Sequence, residues 1–199
     1  MRSFLDAVQN RRSIYGLSND AVVSDDRIRS IVEFAVKYSP SAFNSQTSRV
    51  IVLLGEEHRR FWILTMEALT KVMHGRDTGP TQKKIDSFAA GRGTVLFFED
   101  QDIVKSLQVQ FPTYAENFPA WSQQASGILQ FILWTALEDN GVGASLQHYN
   151  PLVDDAVAKA WDVPPSWKLI AQMPFGKPTA SADPTKTFLP VESRVRFEN

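Results

Sequence analysis

Hydrophobic positions recur along the chain at two spacings, and the switches between them mark out its elements. Between Ser3 and Arg12, Phe4, Leu5, Ala7 and Val8 fall on one helical face, which predicts an N-terminal helix closed by two arginines. Ser24, Asp25 and Asp26 precede Ile28, Ile31, Val32 and Ala35, the pattern of a capped amphipathic helix ending near Tyr38. The β-branched run RVIVLL (49–54), stopped by Gly55, predicts a short buried strand. Glu56 and Glu57 open a further helix carrying Phe61, Leu64, Ala68, Leu69 and Val72 to about Met73, and HGRDTGPTQ after it reads as a loop. GTVLFFED (93–100) reads as a second buried strand.

From Gln101 the pattern weakens to a short helix and then FPTYAENFP, where prolines alternate with aromatic residues. Trp121 to Asn140 carries the strongest helical signal. Ile128, Leu129, Ile132, Leu133, Ala136 and Leu137 make it apolar nearly all round, as a central buried helix would be, and Asn140-Gly141 ends it. GASLQHY (143–149) predicts a third strand, Pro151 begins a helix to Trp161, and WKLIAQMPFG (167–176) predicts a fourth strand. In the closing SRVRFEN, Val195 and Phe197 alternate with Arg194 and Arg196, which suits an edge strand or an arm lying on a partner. Helices and strands interleave, so the expected class is α/β around one sheet covered on both faces.

Composition narrows the chemistry. With 199 residues and 43% hydrophobic content, the chain is expected to form a single domain over 1–199. Lys plus Arg number 21 against 22 for Asp plus Glu, so there is no electrostatic case for a nucleic-acid or membrane partner. Cysteine is absent, which removes disulfides, thiolate nucleophiles and zinc–sulfur sites. His58, His74 and His148 lie far apart without metal-ligand spacing, so no metal is expected. Asp6, Gln9 and Asn10 interrupt the N-terminal apolar residues where a signal peptide needs a continuous core, and no run reaches a membrane span. The expected location is the cytoplasm.

Ordinary catalytic motifs are missing: no nucleophile elbow, no Walker loop, and the G-x-G of GVGAS (141–145) enters a strand instead of leaving one. A chain without its own nucleophile or base can still be an enzyme where a cofactor carries the chemistry. Three polar groupings are then candidates. RRS (11–13) offers two guanidinium forks and a hydroxyl suited to phosphate, or is a solvated helix end. PSAFNSQ (40–46) offers hydroxyls and amides suited to the edge of a planar heterocycle, or is an ordinary loop. SLQHYN (145–150) offers backbone and amide groups to the same ring, or is a plain strand exit.

Taken in order, RRSIYG, PSAFNSQTSRVIVL, the long helix and GVGASLQHYNP resemble the nitroreductase family of FMN-dependent oxidoreductases over nearly the whole chain. PSAFNSQTSRVIVLLGEEH, AAGRGTVLFFED and ENFPAWSQQASG are more similar still to its short branch, that of the fatty-acid-repression-mutant and copper-induced nitroreductases. The resemblance implies a homodimer, each subunit a sandwich of a central mixed sheet flanked by helices, with two FMN sites at the interface and a C-terminal arm (about 186–199) on the partner.

For the site, the resemblance implies that Arg11, Arg12 and Ser13 meet the FMN phosphate and ring. Pro40, Ser41, Ala42, Asn44 and Gln46 form a loop that reaches the other subunit's flavin. Leu146, Gln147 and His148 lie against the isoalloxazine; His148 and Tyr149 stand where larger relatives carry a Glu-Gly pair. Lys84, or its neighbour Lys83, serves the ribityl chain or ring, and Arg194, ahead of Lys177 and Arg196, reaches the phosphate. Phe111, Tyr114, Phe118 and Trp121 either wall the substrate slot or form a satellite cluster under a loop. The implied activity is ping-pong hydride transfer from NADH or NADPH to nitroaromatics, quinones or flavins, with no catalytic side chain. The rival reading is a flavin-binding redox sensor with incidental turnover.

Overall fold

The computed structural model describes residues 3–198, so Asn199, the last residue of the expected arm, lies outside it. Seven α-helices surround one five-stranded sheet among these residues. The strands are β1 (Leu17–Ser18), β2 (Ser48–Leu54), β3 (Gly93–Asp100), β4 (Gly143–Ala144) and β5 (Trp167–Pro178). They run in the order β1-β5-β3-β2, and β4 also pairs with β5. Every ladder is antiparallel, and a parallel contact enters as the single bridge Ser13–Ala144.

The sheet is covered on both faces, and the alternation of its side chains shows why. All of β3 is buried. Val95 and Phe97 join Val50, Val52, Ala171, Met173 and Phe175 under α2 (Asp25–Tyr38) and α6 (Phe118–Asp139). Leu96 and Phe98 join Ile51, Leu53 and Leu169 under α3 (Gly55–Met73), α4 (Gly79–Ala89) and α7 (Asp154–Ala160). Each fully buried Leu or Phe contributes about 1.5–3 kcal/mol, so two stacked cores hold β3 as the most firmly fixed element. α1 (Phe4–Asn10) begins at a capping box between Ser3 and Asp6, and α5 (Gln101–Gln110) at an Asp100 cap.

Four local expectations change. The loop expected over 74–82 stops at Thr78, because Gly79-Pro80 starts α4: proline is tolerated in a first helical turn, and Ile85 and Phe88 bury its inner face. The same tolerance starts α6 at Phe118, with Pro119 in its first turn, ahead of the expected Trp121. The strand expected over 143–149 shortens to Gly143–Ala144 plus one bridge at Gln147, because Pro174 on β5 accepts from Ser145 N at 3.2 Å but has no N–H to return. The helix expected from Pro151 begins at Asp154.

α6 is apolar nearly all round, yet Ile128 and Phe131 on one flank stay 39% exposed in the subunit. The C-terminal segment from Thr179 forms no ladder with its own sheet among the described residues, and Phe188, Leu189 and Phe197 on it are exposed. No helix among these residues is long and apolar enough to cross a membrane.

Candidate functional site

The chain leaves α1 at Arg11, whose N–H still bonds to Ala7 O at 3.0 Å before the backbone extends. The Arg11 guanidinium lies 4.2 Å above the Trp134 ring of α6. Burial, and then the charge of Arg12, hold its pKa below the ordinary arginine value. Arg12 donates to the Asp183 carbonyl at 2.5 Å, which ties the start of the C-terminal segment to this corner. Ser13 bridges to Ala144 and Ile14 N donates to Ala144 O at 2.9 Å. A cleft of 270 Å³ opens here between Arg12, Ile14, Trp134, Gly143 and Pro178. Two adjacent guanidiniums, one partly desolvated, form an environment that an oxyanion stabilises.

The strand exit follows on the same outer edge of β5. Gln147 is buried and exchanges backbone hydrogen bonds with Gln172 at 2.7 and 2.9 Å, while its side chain donates to Ser145 Oγ at 3.1 Å. Leu146 packs toward the α2/α6 core, and His148 is exposed. Gln147 lies three positions beyond Ala144, so Ser13 lies roughly 10 Å from Gln147 along the strand direction. Lys84 is exposed on α4 with its ammonium 5.8 Å from the Phe88 ring, and Phe88 touches Tyr15 at 6.2 Å. Arg11 to Ser13, Leu146 to His148 and Lys84 therefore share one corner of the subunit.

The loop from Pro40 to Gln46 stands at the other end of the sheet. Thr47 O accepts from Asp100 N, and Asp100 pairs with Trp167, whereas Ala144 pairs with Phe175. Phe175 lies eight positions along β5 from Trp167, which sets the loop roughly 25 Å from the Ser13–Ala144 end, while Gln147, paired with Gln172, lies about 16 Å from the loop. The candidate residues of one subunit thus fall into separate groups along the sheet. Lys177, one basic alternative, is bound to Asp20 at 3.1 Å, and Arg196 pairs with Glu198. Arg194 stands on the exposed C-terminal segment, its N–H bonded to Val191 O at 2.9 Å.

The loop is unusual in its backbone. Phe43, Asn44 and Gln46 all have positive φ, at 58°, 50° and 49°. Asn tolerates this region, but a residue such as Phe or Gln gives up about 1–2 kcal/mol there. Ser41 offsets part of that cost by accepting Gln46 N at 3.0 Å on its hydroxyl, and its carbonyl accepts Asn44 N at 3.0 Å. Phe43 offsets more by lying among Phe111, Tyr114, Phe118 and Trp121, with ring centroids 4.9–5.9 Å away. The aromatics of the proline-rich stretch therefore gather about Phe43, which itself stays 50% exposed.

Residue patterns did not single out Phe43, Arg49, Glu99 or Asp100. Arg49 donates to Gln46 O and to Asp100. Glu99 is fully buried next to Ser48, whose hydroxyl donates to it at 2.5 Å; burial is the main cause that raises its pKa. A charge at the start of an otherwise β-branched strand and an aromatic inside a polar loop were the available signals.

A family model described as Nitroreductase family matches residues 8–177. Nitroreductase FRM2 of Saccharomyces cerevisiae is 36% identical over 190 residues, 94% of this chain and 93% of its own. Nitroreductase CinD from Lactococcus lactis, in complex with chloramphenicol, is 44% identical with a TM-score of 0.92 over 99% of this chain and 100% of that one. Its complex with 4-nitrophenol gives a TM-score of 0.92 at 43% identity over the same shares. The chain belongs to the nitroreductase family, and it is an oxidoreductase.

Proposed function

We propose that the chain is an FMN-dependent NAD(P)H oxidoreductase that reduces nitroaromatics, quinones or flavins, working as a homodimer with an FMN site at each end of the interface. The observation that carries this reading is the division of the candidate residues between two ends of one sheet. A two-fold axis that brings one subunit's Ser41–Gln46 loop against the other's Arg11–Ser13 corner makes two complete sites from four halves. A surface for such pairing exists: Phe4, Phe34, Tyr38, Phe131 and Ile132 line an apolar cleft of 390 Å³ between α1, α2 and α6. Exposed apolar surface on this scale favours association. β2 has an open edge, and the C-terminal segment offers exposed Val195 and Phe197 to lie on the partner as an arm.

The residues present fit the cofactor. The partly desolvated Arg11, beside Arg12, binds and orients a phosphate dianion. Arg194 adds a third guanidinium from the arm, and Lys84 lies toward the ribityl chain or ring. Ser41, Asn44 and Gln46 present hydroxyl and amide groups to the polar edge of the ring, while Leu146, Gln147 and His148 line its other side. When bound, FMN supplies two-electron chemistry, taking hydride from a nicotinamide and giving it to an acceptor. The chain then needs only to keep a flat slot open to one planar ring at a time, and the half-exposed Phe43 with its aromatic neighbours is placed to wall it. The ligands in the CinD complexes, chloramphenicol and 4-nitrophenol, carry nitroaromatic rings of this shape.

Initial rates measured over a grid of NADH and 4-nitrophenol concentrations test the cycle. Parallel double-reciprocal lines are the expected result, because donor and acceptor use the slot in turn. Intersecting lines would mean that both bind together and would contradict it.

A further inference from the structure

Arg49 is the second residue of β2, and its side chain turns back over the loop. One Nη1 hydrogen bond goes to the Gln46 carbonyl at 2.8 Å and another to the Ser48 carbonyl at 3.1 Å, while Nη2 donates to Asp100 Oδ2 at 3.2 Å. The guanidinium carbon lies 5.8 Å from the Trp167 ring centroid. Asp100 is itself anchored: its N–H bonds to Thr47 O at 2.9 Å, and its Oδ1 caps α5 by accepting Asp102 N at 3.2 Å. Arg49 is therefore fixed by the most deeply buried strand of the sheet, and what it grips is the carbonyl of a residue at φ 49°. The planar fork of arginine can hold two carbonyls and a carboxylate at once, and lysine cannot.

We infer that Arg49, held by Asp100, is a positioning residue that keeps the strained 41–46 loop in its flavin-binding shape. The inference rests on the reading that Ser41, Asn44 and Gln46 meet FMN. Arg49 touches neither ring nor substrate; it acts through the Gln46 carbonyl. Without it, Gln46 relaxes from the left-handed region, and the Ser41 hydroxyl loses the N–H that orients it.

The test uses the full chain as Arg49→Met, Arg49→Lys and Asp100→Asn, with Arg60→Met as a control for a surface ion pair. Asp100→Asn keeps an acceptor for the α5 cap. FMN binding is measured by flavin fluorescence on the apoprotein, and amide hydrogen exchange is followed across residues 41–47. Arg49→Met is expected to weaken FMN binding about tenfold or more, as loss of a charge-assisted contact does. Amide exchange in the loop quickens in the same variant. Arg49→Lys and Asp100→Asn fall between wild type and Arg49→Met, and Arg60→Met matches wild type.

Mixed dimers separate positioning from a general loss of stability. One subunit carries Arg11→Ala with Arg12→Ala, and the other carries Arg49→Met. A loop acting across the interface leaves one intact site, so half the wild-type FMN is retained. Dimers that retain almost none overturn the cross-interface reading on which this role rests, and an Arg49→Met protein with wild-type affinity and loop exchange overturns the positioning role itself. A wild-type protein that takes up no FMN overturns the flavin reading, and this role for Arg49 with it.

Discussion

Ser13 and Ala144 lie side by side as a parallel bridge, and the Ile14 N–H donates to the Ala144 carbonyl at 2.9 Å. This contact joins the strand extension that follows the arginine pair to the distant segment that leads to Leu146 and Gln147. Gly143 permits it: a Cβ there would stand 3.0 Å from Ile14 Cγ2 and 3.0 Å from Pro178 Cγ. Phosphate-binding and ring-contacting candidates thus share one rigid frame.

The arginine pair carries the first prediction. Arg11→Ala combined with Arg12→Ala should weaken FMN binding by about 3 kcal/mol or more, since each charge-assisted contact is worth about 1.5–3. Folding should lose only about 1 kcal/mol, the scale of the Arg11–Trp134 contact. Equilibrium dialysis against FMN and urea unfolding of the apoprotein measure the two effects separately. Equal FMN occupancy in the double variant and wild type would remove the phosphate role.

Gln46→Gly should separate stability from binding. Glycine adopts φ 49° without the side-chain penalty, so the apoprotein should gain up to about 1 kcal/mol in spite of glycine's greater unfolded-state entropy. The same change removes an amide from the proposed ring edge and should weaken FMN binding. A melting temperature that falls would show that the Gln46 backbone is not strained.

His58 should make stability depend on pH. It is buried between Thr94 Oγ1, 2.8 Å from Nδ1, and Ala89 O, 3.2 Å from Nε2. The carbonyl requires an Nε2–H donor, and the Thr94 hydroxyl, which accepts from Trp62 Nε1 at 2.9 Å, donates its proton to Nδ1. Burial lowers the His58 pKa from 6.5 to about 4. The unfolded chain therefore takes up the proton first. This stabilisation is complete above 6.5 and is lost as pH falls from there to about 4, with about 2 kcal/mol lost between pH 7 and pH 5. Glu99 has a raised pKa and acts with the opposite sign, so the His58→Gln difference in urea midpoints isolates the histidine. A wild-type slope no steeper than that of His58→Gln would contradict the assignment.

Phe34 is 55% exposed and packs against Tyr38, ring centroids 4.8 Å apart and tilted by 45°, along the apolar cleft of α1, α2 and α6. Phe34→Glu should shift a dimer toward monomer in light scattering and lower FMN content in parallel, because the proposed site draws on two subunits. A dimer that persists would place the interface elsewhere.

Much of this architecture was legible in the residues. β3 announced itself because burial on both faces demands a continuous apolar run, and Ser24-Asp25 marked α2 by cap chemistry. The start of α4 was hidden because Gly79-Pro80 reads equally as a turn or as a first helical turn. The candidate residues were legible through resemblance, since each grouping has a plain reading when taken singly. What the sequence concealed is the trio of left-handed residues at 43, 44 and 46 and the arginine that holds them. Neither φ nor a side-chain contact across β2 and β3 leaves a periodic trace.

The most direct test is an absorbance spectrum of the purified protein, followed under anaerobic conditions as NADH and then 4-nitrophenol are added. A bound-flavin spectrum that bleaches with NADH and returns promptly with the nitro compound is the predicted result. A colourless protein that takes up no added FMN would contradict the account at its base. A flavin that bleaches and then recovers only slowly would contradict the oxidoreductase cycle and favour a redox sensor.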